Sequence, residues 1–255
     1  LKIKEEIFYK EMMIESVNYL CNQMRAALLP NSIKNIPDIK PWNFDMNESF
    51  VIWLPYCLRC VVNCANNLTK LEVSSKEDVF KALQQFIFDL RVNTMTSLFN
   101  QTSNEIKNLY LKETWDIELD DNLGARTQLP LVFENKVVES LQLVRETVLQ
   151  LRNPEECDIF TQINVQGSMK QLGQNLLQLF IYALEMCLAN FTKSSSSSSK
   201  QSLTLDDATL IVLCNCAFTN NHVIPRLHEN FEKYGYPDMN AVIKNVQNKY
   251  RDFEN

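Results

Sequence analysis

The sequence predicts an all-α protein, an elongated rod of stacked antiparallel helical bundles. Only four glycines and eight prolines punctuate 255 residues, and they cluster at a few places. Between them run long stretches whose apolar residues recur with a period close to 3.6, the signature of helices that bury one face. One such stretch is long enough for a helix well beyond the globular average, which favours a rod over a ball.

The first stripe is Ile3, Ile7, Ile14, Val17, Cys21, Met24 and Leu28, spaced by three, four or seven, so a helix is expected over residues 2–28. Pro30, Pro37 and Pro41 then forbid a continuous helix and mark a loop. A second helix is expected over 47–71, with Pro55 near its start or at a kink. Ser74 with Glu77, or Ser75 with Asp78, has the spacing of a capping box, in which hydroxyl and carboxylate each satisfy a free backbone N–H. Beyond it, Val79, Leu83, Phe86 and Leu90 form a stripe widened by Phe80 and Ile87, and no Gly or Pro interrupts before Leu123. The spacing predicts a helix approaching forty residues, about 60 Å at 1.5 Å per residue.

Residues 116–130 mix acids with Gly124 and Pro130 and read as an exposed loop, placing a boundary between one helical bundle over 1–119 and a second over 128–255. The second contains a stripe of Val137, Leu141, Val144, Val148 and Leu151, then one of Met169, Leu172, Leu176, Phe180, Leu184 and Cys187, joined through Asn153-Pro154. The serine run 194–199 cannot pack a core, so residues 193–203 are expected to form a disordered loop. Thr204 and Asp207 supply another capping box opening a helix over 205–218. A helix from Ile224 is stopped by Gly235 and Pro237, and Ile243, Val246, Tyr250 and Phe253 form the last stripe.

Composition narrows function. A net charge of -6 and a pI near 5.1 disfavour nucleic acid, which needs a concentrated basic surface, and a broad membrane-binding face for the same reason. Eight cysteines lie mostly in apolar helical patterns, where a free thiol behaves as a small hydrophobe; this points to a reducing cytosol. Four Asn-X-Ser/Thr sequons are about what so Asn- and Ser-rich a chain produces by chance. No basic-then-apolar leader is present, and a start at Leu1 suggests a piece of something longer. The longest apolar run, 176–191, is interrupted by Gln178, Glu185 and Asn190 and looks too short to cross a bilayer, so no transmembrane segment is expected.

Chemistry-bearing clusters are few. Cys57, Cys60 and Cys64 share a helix face at spacings of three and four, which suits a redox pair or half a zinc site, but no fourth ligand and no βαβ context accompany them; core packing is the expected role, as for Cys214 and Cys216. Residues 116–121 (Asp-Ile-Glu-Leu-Asp-Asp) resemble the opening of a calcium loop, yet the required Gly and Glu are replaced by Asp121 and Thr127, so an acidic solvated loop is expected. His222 and His228 are the only histidines, and neither sits in a catalytic frame. Glycine scarcity excludes a recognisable phosphate-binding loop. No catalytic, cofactor-binding or metal residue is therefore assigned. Trp42, Phe44, Trp53, Tyr56 and Trp115 lie near helix ends and loops, where aromatic residues pin junctions or form interfaces.

Several blocks occur in a suggestive order: Trp53-Leu-Pro-Tyr-Cys57, Phe88-Asp-Leu-Arg91, Glu105-Ile-Lys107, Trp115-Asp-Ile-Glu118, Leu129-Pro130 with Phe133-Glu134, Leu179-Phe-Ile-Tyr182 with Leu184-Glu185, Leu210-Ile-Val-Leu213 with Asn215-Cys216, and Glu232-Lys233 before Gly235. From about Trp53 onward the chain resembles the C-terminal half of the exocyst complex component 2 family, subunits of the octameric complex that tethers secretory vesicles to the plasma membrane. The resemblance implies a non-catalytic, cytoplasmic helical scaffold without cofactor, recruited to exocytic sites, with other exocyst subunits as partners. In that family a Ral-type small GTPase binds an immunoglobulin-like N-terminal domain; nothing in this sequence resembles that domain, so GTPase binding is not expected of it. The fragment is expected to be monomeric. The competing readings are a generic helical adaptor, a thiol or zinc module built on Cys57, Cys60 and Cys64, and a peripheral lipid-binding module.

Overall fold

A computed structural model describes residues 2–33, 39–42, 48–68, 70, 76–120, 124–151, 158–195 and 203–254. Several expectations fall outside the described residues: the capping boxes at Ser74 and Ser75, the Asn153-Pro154 connection, Phe44, Asp121, Cys157 and residues 196–202 of the serine-rich segment. Among the described residues the fold is all-α apart from one short hairpin. The chain packs as two compact units, one of residues 1–98 with 146–161, the other of 99–145 with 162–255. Compactness thus places residues 99–119 in the same unit as 124–145, and the loop expected to divide bundles 1–119 and 128–255 lies within that second unit.

The first unit contains α1 (Lys2–Leu28), a 3-10 turn (Pro30–Ile33), α2 (Glu48–Val51), α3 (Leu54–Leu68) and the part of α4 (Lys76–Lys107) up to Leu98. The single helix expected over 47–71 is broken at residues 52–53, because Pro55 lacks an N–H and is accommodated in the first turn of a new helix. Leu54, Leu58, Val61, Val62 and Ala65 are the buried face of α3, and Phe80, Leu83, Phe86, Ile87 and Leu90 that of α4. Arg25 on α1 lies over the Phe86 ring at 5.4 Å and pairs with Asp89 at 2.7 Å. The stripe predicted for α1 is covered only toward its end: Cys21 is buried, whereas Ile7 is half exposed.

The second unit begins with the end of α4, which at 32 residues spans about 48 Å rather than 60 Å. It stops because Asn108 turns its side chain back to the Asn104 carbonyl (3.0 Å) and a 3-10 turn, Leu109–Lys112, takes over. Where a loop was expected, β1 (Glu118–Asp120) pairs antiparallel with β2 (Gly124–Arg126), Leu119 opposite Ala125. Helix α5 (Leu129–Val144) opens with Pro130 in its first turn, where the missing N–H costs nothing, and ends in a π turn. Helix α6 (Ile163–Ser195) runs on into the serines that were expected to be loop. It packs on α7 (Leu205–Phe218) and α9 (Asn240–Glu254), and its Phe180 stacks on Phe133 of α5 at 4.5 Å.

By length and composition α6 would suffice to cross a membrane, which corrects the expectation that no stretch is long enough. Its Leu176, Leu177, Phe180, Ala183 and Leu184 are fully buried within the second unit. Helix α7 starts on the predicted box, with the Thr204 hydroxyl accepting from Asp207 N–H and the Asp207 carboxylate accepting from Thr204 N–H. A π turn (Thr219–Val223) joins it without a gap to α8 (Ile224–Lys233). Gly235, at φ 78°, closes α8: its N–H reaches the Glu232 carbonyl and that of Tyr236 the Phe231 carbonyl, a Schellman pair that only glycine adopts without strain.

Candidate functional site

The most unusual backbone in the second unit comes after the 3-10 turn that ends α4. Trp115 has φ 60°, the left-handed region, which a bulky residue occupies only when its surroundings hold it there. A chain of hydrogen bonds does so. Asn215, fully buried on α7, accepts from Thr127 N–H and donates to the Thr127 hydroxyl, both at 2.9 Å. That hydroxyl donates to one oxygen of Glu113 (2.9 Å), and the other oxygen accepts from Trp115 N–H (2.8 Å). The core thus fixes a carboxylate, and the carboxylate fixes the strained residue.

So held, the Trp115 indole meets the Phe191 ring edge-on, centroids 4.9 Å apart. The two rings, with Tyr110, Leu111, Asn190 and Lys193, line an open cleft of about 520 Å³. Cys187 lies at its base, where burial and then the Glu113 charge push the thiol up to about 12. It is an inert wall, not a nucleophile.

Beside the cleft runs the acidic hairpin. Asp116, Ile117 and Leu119 are exposed, Leu119 by 85%. Glu118 pairs with Arg126 at 3.3 Å and accepts from the Gln128 amide, while the Arg126 guanidinium lies over the Phe218 ring at 4.5 Å. Asp116 is exposed and Glu118 is engaged by Arg126 and Gln128, and no group of three metal-ligating side chains forms among the described residues. The cleft thus sets aromatic and apolar walls beside Glu113, Thr114, Asn190 and Lys193, a mixed polar and apolar surface.

The other chemistry-bearing residues are not brought together. Cys60 and Cys64 of α3 are exposed and Cys57 is half-buried, which corrects the core-packing expectation for the first two: the buried face of α3 is carried by Leu58, Val61 and Val62. Burial, and then the nearby Cys60, pushes the Cys57 thiol up, the opposite of thiol activation. Cys216 is buried and Cys214 half-buried. His222 faces the Phe218 ring, and His228 lies 3.5 Å from Glu232. The cleft itself escaped the sequence reading. Trp115 stood out only as an aromatic near a loop, and the partners that fix it, Thr127 and Asn215, are 88 residues apart.

A family model described as "Exocyst complex component Sec5" matches residues 3–255. Among similar proteins, human exocyst complex component 2 is 32% identical over 253 residues, covering 92% of this chain and 26% of that protein. The mouse protein of the same name is 30% identical with the same coverage, and the Drosophila melanogaster one is 23% identical over 94% of this chain and 30% of its own length. The chain thus spans about a quarter of the length of the human and mouse proteins. No solved structure gives a significant match. With the match running through the helices of both units, the chain belongs to the family of exocyst complex component Sec5.

Proposed function

We propose that this chain is a non-catalytic scaffold segment of an exocyst subunit, holding partner surfaces at a fixed separation while secretory vesicles are tethered to the plasma membrane before fusion. The carrying observation is the family match over residues 3–255 of a chain made almost wholly of packed helices. Helices transmit geometry well because each turn is fixed by its own hydrogen bonds and each buried face by its neighbours. In this reading the partners are other exocyst subunits, and the protein is cytoplasmic and drawn to exocytic sites at the membrane. It works without cofactor, catalytic residue or metal.

Cross-linking with mass spectrometry of the assembled complex tests this directly: lysines of this segment should join reproducibly to lysines of other subunits. Their absence from every inter-subunit link would count against the scaffold reading. The isolated segment is proposed to be an elongated monomer, and small-angle scattering that fits a sphere would overturn that part. The consecutive segments 1–119 and 128–255 are proposed as the products of first cleavage under limited proteolysis, with the connection at 119–128 as the cut.

A further inference from the structure

Helix α3 turns one face inward and leaves the other open to solvent. Leu54, Leu58, Val61, Val62 and Ala65 are buried, whereas Ile52, Trp53 and Tyr56 are exposed by 57–60%, and Cys60 and Cys64 are exposed further along. The Cys57 N–H closes on the Trp53 carbonyl at 2.9 Å, so Trp53 belongs to the first turn. Positions 53, 56, 60 and 64 then follow one another at spacings of three and four on a single face. The Trp53 and Tyr56 rings meet edge-on at 6.5 Å, and Tyr56 and Cys60 share a side-chain hydrogen bond. The stripe is about 16 Å long at 1.5 Å per residue.

Two features say what covers it. The first is charge. The chain carries -6 overall, yet no Asp or Glu occurs from Ser49 to Leu71, where Arg59 and Lys70 are the charged residues. Helix α3 therefore sets no carboxylate against an anionic surface, and Trp and Tyr are the side chains that settle at the headgroup level of a bilayer. The second is the thiols. Among the described cysteines Cys60 and Cys64 are exposed, while Cys21, Cys187 and Cys216 are buried. In a reducing cytoplasm a surface disulfide does not persist, whereas a thioester is not cleaved by reduction. Cysteines on an amphipathic helix are acceptors for reversible S-acylation. One acyl chain holds a protein to a membrane only marginally and two hold it stably; here two acceptors stand one turn apart beside an apolar stripe.

We propose that Cys60 and Cys64 are S-acylated with long-chain fatty acyl groups, and that the stripe of Ile52, Trp53 and Tyr56 then lies in the headgroup region of an anionic bilayer. Each Sγ thiolate attacks the carbonyl carbon of a fatty acyl-coenzyme A. The new S–C bond forms as the bond to the coenzyme A sulfur breaks, and coenzyme A leaves with the proton the cysteine gave up. Cys57 is not an acceptor: it is half-buried, and burial, then the nearby Cys60, pushes its thiol up. This goes beyond the scaffold reading, because it gives the segment a reversible hold on the membrane of its own. Only the choice of thioester over disulfide rests on the cytoplasmic setting proposed above, and the purified chain tests the rest.

The 255-residue chain is incubated with palmitoyl-coenzyme A and vesicles of phosphatidylcholine and phosphatidylserine. Acylated cysteines are read by peptide mass spectrometry and bound protein by flotation. Acyl groups are expected on Cys60 and Cys64 at least tenfold above Cys57 and the buried thiols. The acylated chain should float, and hydroxylamine, which cleaves thioesters, should return it to the soluble fraction. Replacing both Cys60 and Cys64 by Ser should abolish flotation with an unchanged circular dichroism spectrum. Trp53→Glu keeps both thiols and sets a carboxylate on the stripe, so its acylated form should float at least tenfold more weakly. Acylation spread evenly over the cysteines, an acylated chain that stays soluble, or full flotation of acylated Trp53→Glu would each overturn the proposal. In cells making the full-length subunit, hydroxylamine-dependent labelling should report the same two cysteines, and their recovery as free thiols would overturn it as well.

Discussion

Replacing Thr127 by Val tests the chain of hydrogen bonds that holds Trp115. The substitution keeps the volume of a side chain that is 1% exposed and removes only its hydroxyl. Three bonds are lost: from Asn215 Nδ2 at 2.9 Å, to Glu113 Oε2 at 2.9 Å, and a longer one from Leu129 N–H at 3.4 Å. Glu113 is half-buried and regains a partner from water, but the Asn215 amide is fully buried and does not. The expected cost is therefore that of one orphaned buried donor, about 1–3 kcal/mol. Asn215→Leu should cost a similar amount, because it strands the Thr127 N–H instead. In the double variant the Asn215 amide is gone, so that N–H is left unpaired together with the Leu129 N–H of the long contact. Its cost should match Asn215→Leu alone, a coupling of about 1 kcal/mol or more where independent sites would add to within about 0.5 kcal/mol. Urea unfolding of the four proteins, monitored by circular dichroism, measures the cycle. A Thr127→Val cost below about 0.5 kcal/mol, or simple additivity, would refute the network as the clamp on Trp115.

Burial sets three further outcomes. Phe180→Ala, which empties the stack on Phe133 at the centre of the second unit, should cost about 3–5 kcal/mol in the same unfolding assay; a loss under about 1 kcal/mol would contradict the packing. Native thiol titration at pH 8 should modify Cys60 and Cys64 quickly and leave Cys21, Cys187 and Cys216 unreacted until urea is added, and early labelling of Cys187 would refute its burial. Burial raises Cys187 from 9.0 to about 12, and raises Cys216, Tyr236 and Tyr250 as well. Above about pH 9 the unfolded chain therefore releases protons that the fold retains. Stability should be fully present below that pH and fall as pH rises from about 9 to 12, so urea midpoints unchanged between pH 8 and 10.5 would refute the direction.

The helical elements were legible because each is written in a local period. Cys21, Leu83, Phe86, Leu141, Leu176 and Val246 all fall on predicted stripes and are all buried. The Thr204–Asp207 box and the Gly235 stop were equally readable, since caps are set by residues within one turn. What escaped depends on partners distant in sequence or on alternatives of nearly equal local preference. Nothing in 116–126 separates a solvated loop from a three-residue hairpin, because the pairing is so short. The exposed thiols of α3 were misplaced because Cys60 and Cys64 continue a helical spacing that is real but faces away from the core. The compact units were hidden for a related reason: helix α4 serves both, and residues 146–161 return to the first.

A scaffold needs its helices to keep one register, and apolar packing alone specifies register weakly, since neighbouring rotations bury similar areas. The second unit adds a directional constraint at its end. Tyr250 of α9 is fully buried, and its hydroxyl donates to the Leu177 carbonyl of α6 at 2.8 Å. Tyr236 does the same to the Leu141 carbonyl of α5 at 2.9 Å. Each accepting carbonyl lies inside a helix, where a second lone pair remains after the ladder bond is made. Removing a hydroxyl therefore leaves no buried group without a partner, and Tyr250→Phe should cost only about 0.5–1.5 kcal/mol. Its larger effect should be on specificity of packing. Exchange of the α9 amides should accelerate by more than the global loss of stability explains, because α9 can then shift against α6 without breaking a buried bond. Uniform acceleration across the second unit, in proportion to the global change, would show that the hydroxyl contributes stability and does not fix register.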